Sequence, residues 1–167
     1  MTDEQKSVLI KVGRRALFLT SDAGRTPEIK SKTVQLTVTS PPFLDIVTYS
    51  KDNWLRCWFN SLNDESISSG IKTAKTVDEW SKIMGRVFHE LYRITKKDGW
   101  VAFEVGEVRK GTIRLDEYVV PLGIDSGFAC EGIVINLQEF TKTSNIWRIS
   151  NNTDGTNTNP IVLFHKK

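Results

Sequence analysis

Apolar residues recur along the chain with two different periods, and the switches between them set the order of the predicted elements. From Val34 to Thr39 apolar and polar positions alternate, with Val34, Leu36 and Val38 on one side. That is the period of a strand, and Pro41-Pro42 stops it by removing two backbone donors. Upstream, Leu17-Phe18-Leu19 lies in a short apolar run closed by Ser21-Asp22-Ala23-Gly24, which predicts a strand and then a turn. From Thr76 to Ile94 the spacing changes to three and four: Val77, Trp80, Ile83, Met84, Val87, Phe88, Leu91 and Ile94 form one helical stripe. Thr76 with Glu79 is a capping box at its start, and Lys96-Lys97-Asp98-Gly99 is its expected end.

Shorter signals complete the order. Trp54 and Trp58, four apart in an aromatic-rich stretch, are expected to share a helical face and to pack, and the polar stretch Ser61 to Lys75 reads as a surface loop. Trp100 to Val105 has the length of a strand, and Leu115 to Ile124 reads as a helix interrupted by Pro121. Ala129 to Phe140 and Pro160 to His165 are the last two predicted strands, joined by the Asn/Thr-rich segment Thr141 to Asn159. Strands alternating with helices predict an α/β sheet, mostly parallel, and two closing strands without a helix between them predict an antiparallel hairpin at one edge. In such sheets ligands sit beyond the carboxyl ends of the strands, where both Asp22 and Ser40-Pro41-Pro42-Phe43 are expected.

Composition narrows the class without deciding it. The chain has 167 residues, enough for one domain with a core, and 39% of them are hydrophobic against 26% charged. No apolar stretch approaches the ~20 residues of a membrane helix, so no membrane role is expected and a cytoplasmic location is. The two cysteines, Cys57 and Cys130, lack metal-site spacing and read as reduced thiols. A net charge of +3 is compatible with a polyanionic partner, but the Lys and Arg residues are scattered and read individually as solvated surface.

The chemistry is concentrated at Ser40-Pro41-Pro42-Phe43. Two prolines after a strand make a stiff loop whose carbonyls can accept hydrogen bonds. An exocyclic amine needs acceptors that hold its hydrogens and aim its nitrogen at an electrophile. Ser40 offers a hydroxyl, the Ser40 or Pro41 carbonyl a second acceptor, and Phe43 a flat face on which an extruded base can stack. Rival base chemistries fail by absence. None of the five prolines precedes a cysteine, as C5-cytosine methylation requires. His89 is followed directly by Glu90, and no P-C-x-x-C is present, so the zinc-deaminase signature is missing.

Thr39-Ser40-Pro41-Pro42-Phe43 resembles the catalytic motif of the DNA N4-cytosine/N6-adenine methyltransferases, [Ser/Asp/Asn]-Pro-Pro-[Tyr/Phe/Trp]. Leu17 to Asp22 is similar to that family's strand and aspartate ahead of the catalytic strand, and Lys97-Asp98-Gly99-Trp100 to the turn into the strand that follows it. Gly127-Phe128 with Pro160 to Lys166 is similar to its closing hairpin. The resemblance implies a Rossmann-like methyltransferase sheet, one catalytic domain over residues 1–167, S-adenosylmethionine as cofactor and DNA as partner. It also implies roles: Ser40, Pro41, Pro42 and Phe43 catalytic, and Asp22, Thr39 and Ser40 at the cofactor. Serine in the first position of the motif favours N4-cytosine over N6-adenine.

One part of the pattern is absent. The family's cofactor loop is a strand followed by Phe-x-Gly-x-Gly, whereas Gly106 and Gly111 lie too far apart and Gly13 precedes its strand. The expectation is a catalytic half whose cofactor loop and target recognition come from a second polypeptide or a missing segment, with a non-catalytic nucleic-acid-binding relative as the alternative. Only Thr141 to Asn159 is long enough to read a base, through its Asn and Thr side chains or as a plain polar surface; Asn145 is a candidate contact, and Trp147 reads as one or as core. Glu104 faces either the cofactor cleft or, as the preferred reading, solvent or a salt bridge.

Overall fold

The computed structural model describes residues 1–42, 44, 49–63, 74–108, 112–137 and 158–167. Its elements, in chain order, are α1 (Asp3–Gly13), β1 (Val34–Thr39), α2 (Tyr49–Phe59), α3 (Val77–Ile94), β2 (Thr95–Glu104), β3 (Glu107–Val108), β4 (Ile113–Arg114), α4 (Leu115–Asp125), β5 (Ala129–Leu137) and β6 (Thr158–Lys166). The short β3 and β4 pair with each other. The other four strands form one sheet in the order β1-β2-β6-β5.

β1 and β2 are parallel, joined by a crossover that contains α3, while β6 runs antiparallel to both β2 and β5. The expected α/β architecture and the antiparallel closing hairpin are therefore present. The sheet is mixed rather than mostly parallel, because β6, last in sequence, inserts between β2 and β5.

α3 forms because its stripe has one apolar face to bury. Trp80, Met84, Val87, Phe88, Leu91 and Ile94 are all buried, and the Thr76 hydroxyl caps the first turn by accepting from the Glu79 amide at 3.2 Å. Phe88 sits at the centre, with ring centroids 4.7 Å from Phe103 on β2 and 5.2 Å from Phe164 on β6. α4 lies on the same face, and its Gly123 is required there: a Cβ would stand 2.2 Å from the Phe164 ring. Gly85 faces Leu122, Ser126 faces His89 and Gly127 faces Tyr92, so α3 and α4 run side by side in the same direction. Pro121 does not break α4; it lies exposed within a continuous helix.

The end of α3 differs from its expected form. The helix stops at Ile94 and β2 begins at once, so Lys96-Lys97-Asp98-Gly99 becomes a bulge inside the strand. Asp98 takes a positive φ of 60°, and its carbonyl accepts from the Gln35 side-chain Nε2 at 2.9 Å. The last-turn carbonyls of α3 are capped from a distant strand: the Lys166 ammonium donates to the Tyr92 and Thr95 carbonyls at 2.6 and 2.9 Å. Burial and the nearby charge of Lys32 together push its pKa down.

Two expectations are corrected. No strand forms at Leu17-Phe18-Leu19; the segment is irregular and the Phe18 side chain is 95% exposed. A strand needs a ladder, and among the described residues nothing pairs with this segment. Trp54 and Trp58 do lie on a helix, but both are exposed rather than packed. Helix α1, not anticipated, has a capping box of Thr2 and Gln5 and no buried residue. Cys57 and Cys130 are free thiols. Among the described residues no helix is long and apolar enough to cross a membrane.

Candidate functional site

The candidate site begins where β1 ends. Parallel pairing sets Thr39 beside Phe103, so the chain leaves the sheet at Ser40 next to the last residues of β2. Val101 and Phe103 are buried under α3, and the same register turns Thr37 and Thr39 to that face. Ser40 is exposed, whereas Pro41 and Pro42 are half-buried and Leu44 is buried in the core. The loop is thus anchored on its downstream side and open at its serine.

The anchor is Trp80. Its side chain is 2% exposed, and its indole N–H donates to the Pro42 carbonyl at 3.0 Å. A buried Trp needs a partner for that hydrogen, and the Pro42 carbonyl needs a donor because the prolines leave no ladder to supply one. Position 80 was legible as part of the apolar stripe; its bond to the loop, 38 residues away, was not. With the Pro42 carbonyl so engaged, the Ser40 hydroxyl and the Ser40 and Pro41 carbonyls remain as the acceptors named from sequence.

α3 runs antiparallel to β1. Trp80 at its start meets the loop after β1, and the Ile94 carbonyl at its end accepts from Thr33 just before β1. Because α4 runs with α3, the first turns of both helices lie toward the carboxyl ends of β1 and β2. In the first turn of α4 Asp116 is 2% exposed; Oδ2 pairs with Arg114 at 2.8 Å, and Oδ1 has no hydrogen-bond partner among the described residues. Sequence reasoning did not single out Asp116, since a carboxylate after Arg114-Leu115 reads as ordinary helix-start charge.

Asp22 is placed differently from the other expected site residues. It ends no strand. Its carboxylate accepts from the Gly24 amide at 2.9 Å in a local turn, and Gly24 packs against Arg86 midway along α3. The following residues are tied down firmly: Glu90 accepts from the Thr26 amide and hydroxyl, both at 2.7 Å, and pairs with Arg93 at 2.7 Å. Hydrogen bonding to Arg93, helped by Thr26, holds the Glu90 pKa down to about 2 despite its burial. Arg93 also donates to the Thr26 and Ile29 carbonyls, so this cluster staples the approach to β1 onto α3.

Glu104, the last residue of β2, is half-buried and pairs across to Ile161. Phe43, Gly111, Asn145 and Trp147 lie outside the described residues, as does the segment 141–157. His89 bonds to the Gly85 carbonyl within its own helix. Among the described residues no cluster of His, Cys, Asp and Glu could hold a metal ion.

No family model matches the chain, and neither does any curated protein. Solved structures do. A candidate DNA modification methylase of Thermus thermophilus superposes with a TM-score of 0.52 at 17% identity, over 87% of this chain and 52% of that one. A second structure of that protein, complexed with S-adenosyl-L-methionine, gives a TM-score of 0.50 at 18% identity over 87% and 53% of the two chains. The PvuII cytosine-N4-specific DNA methyltransferase gives 0.53 at 15% identity, over 83% and 44%. At such identities the likeness establishes the fold: a Rossmann-like methyltransferase sheet, present in part. The chain spans about half the length of these proteins.

Proposed function

We propose that this chain is the amine-holding half of a DNA amino-methyltransferase, which transfers a methyl group from S-adenosylmethionine to the exocyclic amine of a base, N4-cytosine before N6-adenine. The observation that carries the reading is the placement of Ser40-Pro41-Pro42. The loop stands at the carboxyl end of β1, braced through the Pro42 carbonyl by Trp80 and open at Ser40. The folds it resembles support the same reading, since their proteins include DNA modification methylases and a cytosine-N4-specific enzyme.

The residues of this chain act on the amine. Ser40 accepts one of its hydrogens and the Ser40 or Pro41 carbonyl accepts the other, so the nitrogen is aimed with its lone pair outward. Phe43 stacks on the extruded base, and the rigid prolines make the acceptors available without reorganisation. The bound cofactor supplies an electrophilic methyl group for direct displacement by that nitrogen. Asp22 and Thr39 are proposed at the cofactor. The chain's own residues fit the amine better than the whole cofactor, because among the described residues no glycine turn stands ready for the methionine half.

That misfit favours a second reading, a non-catalytic relative that binds nucleic acid or a partner. Titration of the chain with S-adenosylmethionine by calorimetry, with and without DNA, separates the two. Transfer of tritiated methyl groups to DNA, followed by nucleoside analysis, tests the chemistry itself. Ser40→Ala and Phe43→Ala should each lower transfer at least ten-fold with the fold intact. Full activity in both variants removes the loop from the reaction, and a product other than N4-methylcytosine overturns the preference for cytosine.

A further inference from the structure

Lysines that lie scattered along the sequence are gathered by the fold at one end of the sheet. Lys30 and Lys32 stand just before β1, Lys96 and Lys97 in the bulge of β2, and Lys166 and Lys167 at the end of β6. Pairing of Val34 with Thr95 and of Gly99 with Lys166 brings the three segments together. This is the end away from Ser40, because the 6 residues of β1, roughly 20 Å of strand, lie between.

Two tight turns hold these lysines in place. In the first, the Lys32 amide donates to the Arg93 carbonyl at 2.9 Å and the Thr33 hydroxyl to the Lys30 carbonyl at 2.7 Å. Arg93 also donates to the Ser31 hydroxyl oxygen at 2.9 Å, and the hydrogen of that hydroxyl has no acceptor among the described residues. In the second, Gln35 fixes the Asp98 carbonyl, and Gly99 has no room for a Cβ, which would stand 2.7 Å from Thr95. Two of the three non-glycine residues with positive φ among the described residues are here, Lys32 at 59° and Asp98 at 60°. Gly, Asn or Asp takes that conformation more cheaply than Lys, so the strain at position 32 is borne by a residue whose distinction is its charge.

The charges at this end are poorly balanced. Lys166 is engaged by the last carbonyls of α3 and Lys167 by Glu131. Lys30, Lys32, Lys96 and Lys97 have no carboxylate within ion-pair distance among the described residues. Two exposed carboxylates, Glu28 and Asp98, share these segments. Burial first, and then repulsion from Lys32, push the Lys166 pKa down, so like charges are crowded together here. The apolar residues of the first turn, Ile29 and Val34, pack against the core and leave nothing to enter a bilayer. Ammonium groups set among exposed Ser31, Thr33 and Gln35 match the donors that nucleic-acid phosphates take.

We propose that this end of the sheet binds the phosphate backbone of a nucleic acid, without reading its sequence, through Lys30, Lys32, Lys96 and Lys97. The site lies a strand's length from the reactive loop, so it grips a segment other than the one whose base meets Ser40. It stands whether or not the chain transfers methyl groups.

Fluorescence anisotropy with labelled duplexes of mixed sequence, one DNA and one RNA, tests this across a salt series. Binding should weaken steeply as salt rises, and the duplex bound more tightly identifies the source of the phosphates. Lys32→Ser with Lys97→Ser should weaken binding at least about ten-fold and reduce the slope of log affinity against log salt by about 2. Lys11→Ser with Lys82→Ser removes the same charge elsewhere and should change affinity by less than about two-fold. Lys32→Gly deletes the charge but accepts the positive φ, so affinity should fall while the melting temperature holds. Equal losses from the two lysine pairs overturn the proposal, since net charge alone would then explain the binding. Absence of binding to either duplex at low salt overturns it too. So do vesicles of phosphatidylserine held through Lys32 and Lys97 when neither duplex is.

Discussion

The two edge strands of the sheet, β1 and β5, are both unpaired on their outer side among the described residues, but they are tied to the rest of the sheet differently. β5 is held by β6 in an antiparallel hairpin and exposes Ile133, Val134 and Ile135, while the three phenylalanines Phe88, Phe103 and Phe164 meet in the core between α3, β2 and β6. At the β1 edge an equally regular strand exposes its apolar residues, and the apolar segment Leu17-Phe18-Leu19 ahead of it stays irregular. Hydrophobic pattern alone does not separate these regions. What separates Leu17-Phe18-Leu19 from the two strands is whether a pairing neighbour lies within the described residues.

The contrast is broken most sharply by truncating one large ring on each side. Phe88→Ala opens a cavity against Phe103 and Phe164 and should cost about 3–5 kcal/mol in urea unfolding. Phe18→Ala removes a solvated ring and should fall within about 0.5 kcal/mol of the parent. Comparable losses from both would mean that the N-terminal segment packs in solution.

A smaller effect tests the staple between the halves. Glu90 is more acidic in the fold than in the unfolded chain, so its contribution is complete above pH 4.5 and drains away as pH falls toward about 2. The upper bound is about 3 kcal/mol, and Glu90→Gln should flatten the acid limb of the stability–pH curve. An unchanged acid limb would show that the Thr26–Glu90–Arg93 cluster does not hold the approach to β1.

The smallest effect compares two positions flanking the reactive loop. Trp80→Phe deletes the donor to the Pro42 carbonyl and shrinks the buried ring, which together should cost about 2 kcal/mol by thermal melting. Leu36→Ser, on the bare side, should leave the isolated chain unchanged. A loss at Leu36 as large as that at Trp80 would show the edge already covered.

Much of this was legible where the signal is local. The α3 stripe with its Thr76 cap, β1 ending at Pro41-Pro42, and the β5–β6 hairpin follow from periods of 3.6 and 2 and from proline chemistry. Leu17-Phe18-Leu19 misleads because a strand is a relation between two segments, and apolar alternation in one of them does not reveal whether the other exists. The bulge at Lys96-Lys97-Asp98-Gly99 reads as a helix stop since both require the same charged, glycine-containing turn. At the site, the stiffness and acceptors of Ser40-Pro41-Pro42 could be read from residue types. The Trp80 brace and buried Asp116 could not, because each depends on contacts that only the packed chain creates.

The position of β6 carries a consequence for how the protein is made. Its residues follow every other strand in sequence, yet it lies between β2 and β5 and supplies Phe164 and Lys166 to α3. On a ribosome, β1, α3 and β2 emerge early enough to associate, while β5 must wait without a ladder until residues 158–166 arrive. Closure then depends on contacts more than 70 residues apart, Lys166 to Tyr92 and Thr95 among them. Such late, non-local pairing slows folding, and until residues 158–166 arrive β2 and β5 both wait for the strand that joins them.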